Sequence, residues 1–327
     1  MVNLSKVIFT LLLITQVEAS TWELKNISLQ TENDADIRDD AAYSYGGGFS
    51  TLFLRKDSNK SLLHIPFTNY ENSQNYISFS FAHKLYTPKD LKASKLLLND
   101  RPYAGYMYLQ SGLHQVKTNS LKSLNIQVGI LGPSSQMESV QKIIHDLIGS
   151  PYPNGWKNQL QNELIIQLNY AQKNYYDLEY FSTSIYNASI IPEFGVELGN
   201  ASVKTYTNAL FRWGKNVPRD FGAYSIKNTG YSKISLLEKH KTSTKWRYYF
   251  NFSLQANFIA RNIFLDGNSF RKSHSVEKKY LTFDVGYGLS FAYKNFSIDY
   301  LRTHTSKEFK TQKDLYSYGS FLFSYAY

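Results

Sequence analysis

Strict alternation of apolar and polar residues over long segments limits how this chain can fold more than any other feature. The even-numbered residues from Trp246 to Phe258 are apolar and mostly aromatic, and most of the odd-numbered residues between them are polar. The pattern recurs at residues 77–81, 124–130, 281–291 and 296–300. Because successive side chains of a β-strand point to opposite faces, each segment predicts a strand with one apolar and one polar face.

Two all-β architectures have strands of this kind. A soluble sandwich turns the apolar faces inward, whereas a transmembrane barrel turns them to lipid and encloses the polar faces. Aromatic residues form 16% of the chain, which favours the barrel. The last strand alternates Phe321, Phe323, Tyr325 and Tyr327, a pattern that resembles the C-terminal assembly signal of bacterial outer-membrane barrels. The sequence therefore predicts an all-β fold, a transmembrane antiparallel β-barrel with a helical insert on its extracellular side.

The alternating segments predict about twelve strands, an even number typical of single-chain outer-membrane barrels. They begin near residues 22, 42, 75, 103, 122, 159, 187, 201, 243, 279, 295 and 315. With both termini in the periplasm, three connections lie together on the cell exterior: the turn 32–42, the basic loop 87–102 and the insert 133–158. The segment 214–241 is long for a periplasmic turn and predicts either a helix or a further hairpin.

The first nineteen residues have the features of a signal peptide. Lys6 precedes the apolar run Val7–Thr15, which is too short to span a bilayer, and Val17-Glu18-Ala19 resembles a cleavage site. We therefore expect residues 1–19 to be removed and residues 20–327 to form one exported barrel domain, which we expect to be a monomer. The chain has no cysteine, which excludes disulfides and thiolate chemistry. For an exported chain, the net charge of +10 indicates anionic lipid rather than nucleic acid.

One amphipathic helix interrupts the strands. Ser135 and Glu138 match a capping box, and Gly149 with Pro151 forms a stop signal, so the helix is predicted from Gln136 to Ile148. Gln141 and His145 project from one face because they are four residues apart. The apolar stripe expected to dock the helix consists of Met137, Val140, Ile144 and Leu147. His145 is either a solvated surface histidine or a functional one.

Oxygen-bearing and basic side chains are concentrated in the first two exterior connections. The acidic turn contains Thr31, Glu32, Asn33, Asp34, Asp36, Asp39 and Asp40. Such a cluster either binds a hard cation such as Ca²⁺ or is a solvated turn. Ser44 has no nucleophile-elbow context, which favours a structural role. Arg101 follows Lys89, Lys92 and Lys95, and these cations either bind phosphate or are solvated.

Several short motifs, taken together, resemble those of one known family. In chain order they are Asn33-Asp34, Tyr43-Ser44-Tyr45-Gly46, Asp100-Arg101-Pro102-Tyr103-Ala104-Gly105, Gly132-Pro133-Ser134-Ser135 with Gln141 and His145, and Gly155-Trp156-Lys157-Asn158-Gln159-Leu160 with Glu163. This series resembles the outer-membrane lipid A 3'-O-deacylases. It spans the first half of the chain, and the second half shares only the barrel character.

The resemblance implies a Ca²⁺-dependent esterase that removes the 3'-linked acyloxyacyl group of lipid A in the outer leaflet of the outer membrane. By the same resemblance, His145 is the general base, Asp34 a Ca²⁺ ligand, and Gln141 and Asn33 polar partners in the site. Ser44 stands where the family commonly has threonine. The lysine of the family's site matches either Lys92 or Lys95, with Lys92 preferred.

Two other functions fit the barrel and the export signal. A passive porin requires neither the capped helix nor the ordered motifs. An outer-membrane phospholipase requires a Ser–His pair, for which Ser44 and His145 are candidates.

Overall fold

The alternating segments form the wall of a closed antiparallel barrel. The computed structural model describes residues 22–34, 42–56, 73–222, 226, 234 and 246–327. The strands of these ranges are β1 (Trp22–Asn33), β2 (Ala42–Arg55), β3 (Gln74–Thr87), β4 (Ala104–Lys117), β5 (Ser120–Leu131), β6 (Glu163–Asn174), β7 (Tyr176–Asp177), β8 (Tyr186–Gly199), β9 (Ser202–Lys215), β10 (Arg247–Asn262), β11 (Leu281–Tyr293), β12 (Phe296–Thr305) and β13 (Tyr316–Ala326). Twelve of these are long, which confirms the predicted barrel. The expected signal peptide and the residues Asp36, Asp39 and Asp40 lie outside the described residues.

The described ranges contain two short helices, α1 (Met137–Ile148) and α2 (Ile263–Asp266). Single 3₁₀ turns occur at Pro133–Ser135, Trp156–Asn158 and Glu179–Phe181. Neither α1 nor α2 has the length and apolar character that crossing a bilayer requires. The helix predicted from Gln136 to Ile148 is thus confirmed to within one residue.

The ring closes by pairing between the first and last strands. Ser28 of β1 lies opposite Ser324 of β13, and Asn33 lies opposite Gly319. β6 pairs directly with β8, while β7 only extends the edge of β8. Because neighbouring long strands are antiparallel, the connections after β1, β3, β5, β8, β10 and β12 leave from one end of the barrel, which we call the upper rim. The acidic turn, the basic loop and the insert therefore share one rim, as predicted.

Alternation separates a lipid-facing wall from a polar interior, and β11 illustrates it. Phe283, Leu289 and Phe291 are exposed on the outside, whereas Asp284 and Ser290 are buried inside. Hydrogen bonds join many of the enclosed polar groups, as Asn257 donates to Asp284 at 2.9 Å. Buried polar groups without partners cost free energy, so this network is what permits a polar interior.

Several described residues of the long connection between β9 and β10 lie in the barrel interior. Its described residues Phe221, Ile226 and Ile234 are all buried. The amide of Phe221 donates to the carbonyl of Ile234 at 3.1 Å, and Asp220 forms an ion pair with Arg212 of β9. Most of the segment 214–241, for which a helix or a further hairpin was predicted, lies outside the described residues. At Ile226 the polar interior supplies a hydrogen-bond partner, because its amide donates to the carboxylate of Glu32 in β1.

Candidate active site

The insert between β5 and β6 holds α1 against the outer wall of the barrel. Gly105 of β4 lies directly beneath it: a Cβ atom at this position would clash with Oγ of Ser135 and would stand 2.5 Å from Cβ of Met137. The amide of Gly132 also donates to the carbonyl of Gly105 at 2.8 Å. A glycine at position 105 therefore permits the close approach of the insert to the wall.

The N-terminus of α1 differs from the predicted capping box. Ser135 donates its hydroxyl proton to the carbonyl of Gly132 at 2.6 Å, because it belongs to the preceding 3₁₀ turn. The N-cap is Gln136, in a left-handed conformation. Glu138 instead pairs with Lys142 at 2.6 Å, and this hydrogen bond raises the pKa of Lys142. The predicted C-terminal stop is confirmed, because Gly149 adopts a left-handed conformation with its amide on the carbonyl of His145.

The predicted docking stripe faces the barrel only in part: Met137 and Val140 pack against the hydrophobic cluster of Leu85, Tyr103 and Trp156, whereas Leu147 does not. The buried residues of the helix are Met137, Gln141 and His145. Leu147, part of the predicted docking stripe, is 80% exposed, and Ile143 and Ile148 are exposed beside it. Next to a barrel wall that faces lipid, an outward apolar face carries no penalty, so the polar side chains occupy the sheltered gap.

Gln141 and His145 are held by the chain that follows α1. The indole Nε1 of Trp156 donates to Oε1 of Gln141 at 2.7 Å. Nδ1 of His145 lies 2.7 Å from the carbonyl oxygen of Pro151. A carbonyl can only accept, so Nδ1 carries a proton, and in the neutral ring Nε2 presents the lone pair. A neutral imidazole oriented in this way can act as a general base.

Asp34 and Ser44 lie together where β1 and β2 meet the upper rim. The amide of Asp34 donates to the carbonyl of Ser44 at 3.4 Å, and the hydroxyls of Ser44 and Thr87 are 2.6 Å apart. The side chains of Asp34 and Ser44 are buried, and Asn33 is half-buried opposite Tyr45. This group contains most of the site residues that the sequence nominated outside the insert.

A hydrophobic cluster joins this group to α1. Leu85 of β3, two residues before Thr87, packs with Met137, Tyr103 and Trp156, and Tyr45 packs against the same cluster. Trp156 and Tyr103 stack at an angle with their ring centroids 5.0 Å apart. The residues around Ser44 and the residues around Gln141 therefore border the same hydrophobic cluster, between the barrel and the helix.

Lys92 and Lys95 are exposed on the connection between β3 and β4. This connection is attached to the insert: the carbonyl of Lys92 accepts a hydrogen bond from Nδ2 of Asn154 at 3.3 Å, and the carbonyl of Ser94 accepts one from Asn158 at 3.0 Å. Both lysines thus stand on the site's side of the upper rim. Their positions do not distinguish one from the other.

Two residues considered for the site are turned away from it. Arg101 is buried, pairs with Glu308 at 2.6 Å and lies over the rings of Tyr86 and Tyr316. Burial disfavours its charge, but Glu308 outweighs that effect and keeps the pKa of Arg101 above its ordinary value. The suggestion that Arg101 binds an external phosphate is therefore wrong.

Glu32 is likewise excluded from the oxygen cluster. Its carboxylate is fully buried and accepts hydrogen bonds from the hydroxyl of Tyr43 at 2.6 Å and from the amide of Ile226 at 2.6 Å. Alternation along β1 turns Glu32 into the interior, where it anchors the segment between β9 and β10.

The donor atoms near Asp34 match the preferences of Ca²⁺ in kind. They are a carboxylate, the hydroxyls of Ser44 and Thr87 and backbone carbonyls, and Ca²⁺ is bound by oxygen ligands of these types. No group of three or more His, Cys, Asp or Glu side chains with metal-binding geometry occurs in the described ranges. A Ca²⁺ site here would therefore rely on one described carboxylate and on neutral oxygens.

His83 and Thr87 are residues beside the site that the sequence reasoning missed. His83 packs on Tyr45 with ring centroids 5.4 Å apart. Its Nε2 atom and the Nε2 atom of Gln141 are buried and have no hydrogen-bond partner among the described residues. The sequence did contain a signal for His83. Along the outward face of β3, the lipid-facing Phe79 and Phe81 are followed by His83, and lipid contact at that position would require an apolar residue.

Comparisons with known proteins bear on the whole chain. A family model described as "Outer membrane protein LpxR" matches residues 7–327. Among solved structures, LpxR from Salmonella typhimurium has a TM-score of 0.72 and 16% identity, covering 92% of this chain and 100% of that chain. The beta domain of the Bordetella autotransporter BrkA has a TM-score of 0.45 and 8% identity, covering 94% and 100%. No curated protein sequence matches significantly. The Salmonella structure shares the barrel fold.

Proposed function

The chain belongs to the family of outer membrane protein LpxR, the lipid A 3'-O-deacylase family that its motifs resemble, and on this premise we propose that it hydrolyses the 3'-linked acyloxyacyl ester of lipid A. The family assignment makes it a barrel of the bacterial outer membrane. The observation that carries the proposal is the orientation of His145, whose Nδ1 donates to Pro151 so that Nε2 is left as a base. The protein acts as a monomer, with the upper rim at the outer leaflet.

His145 takes the proton in the proposed reaction. Nε2 removes a proton from water as the water oxygen attacks the ester carbonyl carbon. When the tetrahedral intermediate collapses, the imidazolium returns this proton to the departing sugar oxygen. The products are the released carboxylic acid and a free 3'-hydroxyl. The hydrogen bond to Pro151 keeps the ring in one tautomer and stabilises the imidazolium that forms.

Asp34 and the hydroxyls near it would hold Ca²⁺, which supplies Lewis-acid polarisation of the ester carbonyl when bound. Asp34 provides the negative charge, and Ser44 with Thr87 provides neutral oxygens. Their burial keeps water from competing for the cation. The Ca²⁺ dependence of the enzyme rests on this donor chemistry.

Gln141 and the loop lysines would orient the substrate. Oε1 of Gln141 is occupied by Trp156, so its amide points in a defined direction and its buried Nε2 protons can donate to the substrate or to the attacking water. Asn33 is half-buried beside Asp34 and adds a second amide. Lys92, or Lys95 in its place, is exposed near the insert and would contact a phosphate of lipid A.

The surroundings of Ser44 favour water as the nucleophile. The hydroxyl of Ser44 lies 2.6 Å from that of Thr87, and a nucleophilic serine would instead need a base in that position. The interior of the barrel argues against a channel, because the described residues Phe221, Ile226 and Ile234 are buried within it. These observations support a water-dependent esterase over a phospholipase with a seryl intermediate or a porin.

Mass spectrometry of lipid A tests the proposal. Cells expressing the wild-type chain should contain lipid A that lacks the 3'-linked acyloxyacyl group, and cells expressing His145→Ala should retain it. The folded barrel should be verified in both samples by its resistance to unfolding in cold detergent. An intact acyl pattern with folded wild-type protein would favour the porin.

A further inference from the structure

A second groove lies on the outer wall of the barrel, away from the candidate active site. It has a volume of about 570 Å³ and is bounded by the start of β6, by Asn200 and by Phe270 with Arg271. α1 contacts β3 and β4, whereas this groove lies at β6, two strands further round the wall from β4. Ligand pockets in proteins typically have volumes of about 300–1,000 Å³.

Hydrogen bonds fix the groove in place. The carboxylate of Glu163 accepts from Nδ2 of Asn200 at 2.9 Å, from Nδ2 of Asn268 at 3.1 Å and from the amide of Ser269 at 2.8 Å. Asn268 also accepts from the amide of Gln161 at 3.0 Å. These bonds tie the connection between β10 and β11 to the start of β6 and engage both oxygens of Glu163. The negative charge at the groove is therefore already committed to donors of the protein.

The floor and one side of the groove are apolar. Leu164 and Ile166 form the floor and continue into Leu168 on the lipid-facing side of β6, where all three are exposed. Phe270 forms the side and is 82% exposed. An aromatic side chain standing free next to a lipid-facing wall indicates an apolar ligand, and the floor is continuous with the surface that the bilayer covers.

The head of the groove carries a cation. Arg271 is exposed and has no ion pair within the part of the chain that the structure describes. It lies at the upper rim, just beyond the ends of the strands, which is the level of lipid head groups. A guanidinium donates two parallel hydrogen bonds to a phosphate.

We propose that this groove binds a phosphate-bearing lipid of the outer leaflet, with an acyl chain along Leu164, Ile166 and Phe270 and the phosphate at Arg271. The site is separate from the esterase pocket and does not depend on hydrolysis. A lipid is the occupant because the floor belongs to the lipid-facing wall, so a ligand reaches it from within the bilayer. Its bound state would anchor the connection between β10 and β11.

Native mass spectrometry of the whole barrel, released from detergent micelles, tests this proposal. The probes are dimyristoyl phosphatidic acid and dimyristoylglycerol, which share their acyl chains and differ in the phosphate. Arg271→Ala should weaken binding of the phosphatidic acid about three- to tenfold, because one charged hydrogen-bonded contact is lost. It should leave binding of the neutral lipid unaffected. Phe270→Ala should weaken both. Lys272→Ala, an exposed neighbour that does not line the groove, is the matched control and should bind as the wild type does.

Three results would overturn the proposal. The first is an equal loss of phosphatidic acid binding in Arg271→Ala and Lys272→Ala, which would indicate non-specific attraction. The second is equal binding of the two lipids by the wild type. The third is a protein dimer in place of a lipid adduct. All three substituted side chains are exposed, and each variant's fold is checked by circular dichroism. The readout is binding, so it remains informative in a barrel that proves to have no esterase activity.

Discussion

The Nδ1 proton of His145 is donated to the backbone carbonyl of Pro151 over 2.7 Å, within a tight turn that begins at Gly149. The left-handed conformation of Gly149 reverses the chain directly after α1, which brings the carbonyl back beneath the ring. The stop signal of the helix and the orientation of the candidate base therefore come from the same few residues.

Replacing His145 should abolish hydrolysis. His145→Ala removes the proton acceptor, and general base catalysis typically contributes about 10²–10⁴-fold in rate. The initial rate of fatty-acid release from purified lipid A measures the loss. Asp146→Ala is the control, because this exposed neighbour on α1 lies outside the site. Equal losses in the two variants would mean that the helix, not the imidazole, is what the reaction needs.

Asp34 should determine the affinity for Ca²⁺. We expect that EGTA stops hydrolysis, that added Ca²⁺ restores it, and that Asp34→Asn requires a much higher Ca²⁺ concentration because a carboxylate charge is lost. A Ca²⁺ titration of the initial rate measures this shift. Asp314→Asn serves as the control, since Asp314 lies on the same rim but is exposed and pairs with Lys89. Full activity in chelator would remove the cation from the mechanism.

Ser44→Ala should retain part of the activity. The substitution deletes one neutral oxygen and the contact with Thr87, while the water nucleophile and its base remain. Ser44→Thr should be closer to the wild type, because it keeps the hydroxyl. Single-turnover experiments with intact-protein mass spectrometry provide the check: complete inactivity of Ser44→Ala, together with an acylated serine in the wild type, would support the phospholipase-like route.

Trp156→Phe should lower activity through Gln141. The phenyl ring preserves much of the packing in the cluster with Tyr103 but leaves Oε1 of Gln141 buried without its donor, which costs about 1–3 kcal/mol. A free amide can rotate, so kcat should fall more than KM rises. Trp246→Phe, on the exposed end of the wall, should change neither constant. An unchanged kcat in Trp156→Phe would show that Gln141 needs no orientation.

Arg101→Gln should destabilise the barrel without affecting phosphate recognition. It leaves the Glu308 carboxylate buried without its charged partner. Breaking a buried ion pair in this way lowers the free energy of unfolding by about 3–5 kcal/mol. Equilibrium unfolding in urea with lipid vesicles measures the change. Lys89→Gln breaks the exposed pair with Asp314 and should leave the midpoint unchanged. If Arg101→Gln were as stable as the wild type and bound lipid A more weakly, Arg101 would bind an external phosphate despite its burial.

The local pattern of the sequence was sufficient for the architecture. The alternation in segments such as 246–258 and 281–291 predicted lipid-facing strands because the period of two follows from backbone geometry alone. Antiparallel connection then placed Asp34, the 88–103 connection and α1 at one rim. The C-terminal bound of α1 was also predictable, because Gly149 ends a helix through its own conformational freedom.

Tertiary structure alone decided which way the individual side chains face. Arg101 looked like a solvated cation until its buried partner Glu308 was known, and Glu32 and Asp34 looked equivalent until the interior partner of Glu32, the amide of Ile226, was known. The helix buried Gln141 and His145 and left Leu147 exposed, because the closed barrel offers it a wall on one side only. Partners about two hundred residues apart and the surroundings of each face are set by the closed barrel, and local sequence encodes neither.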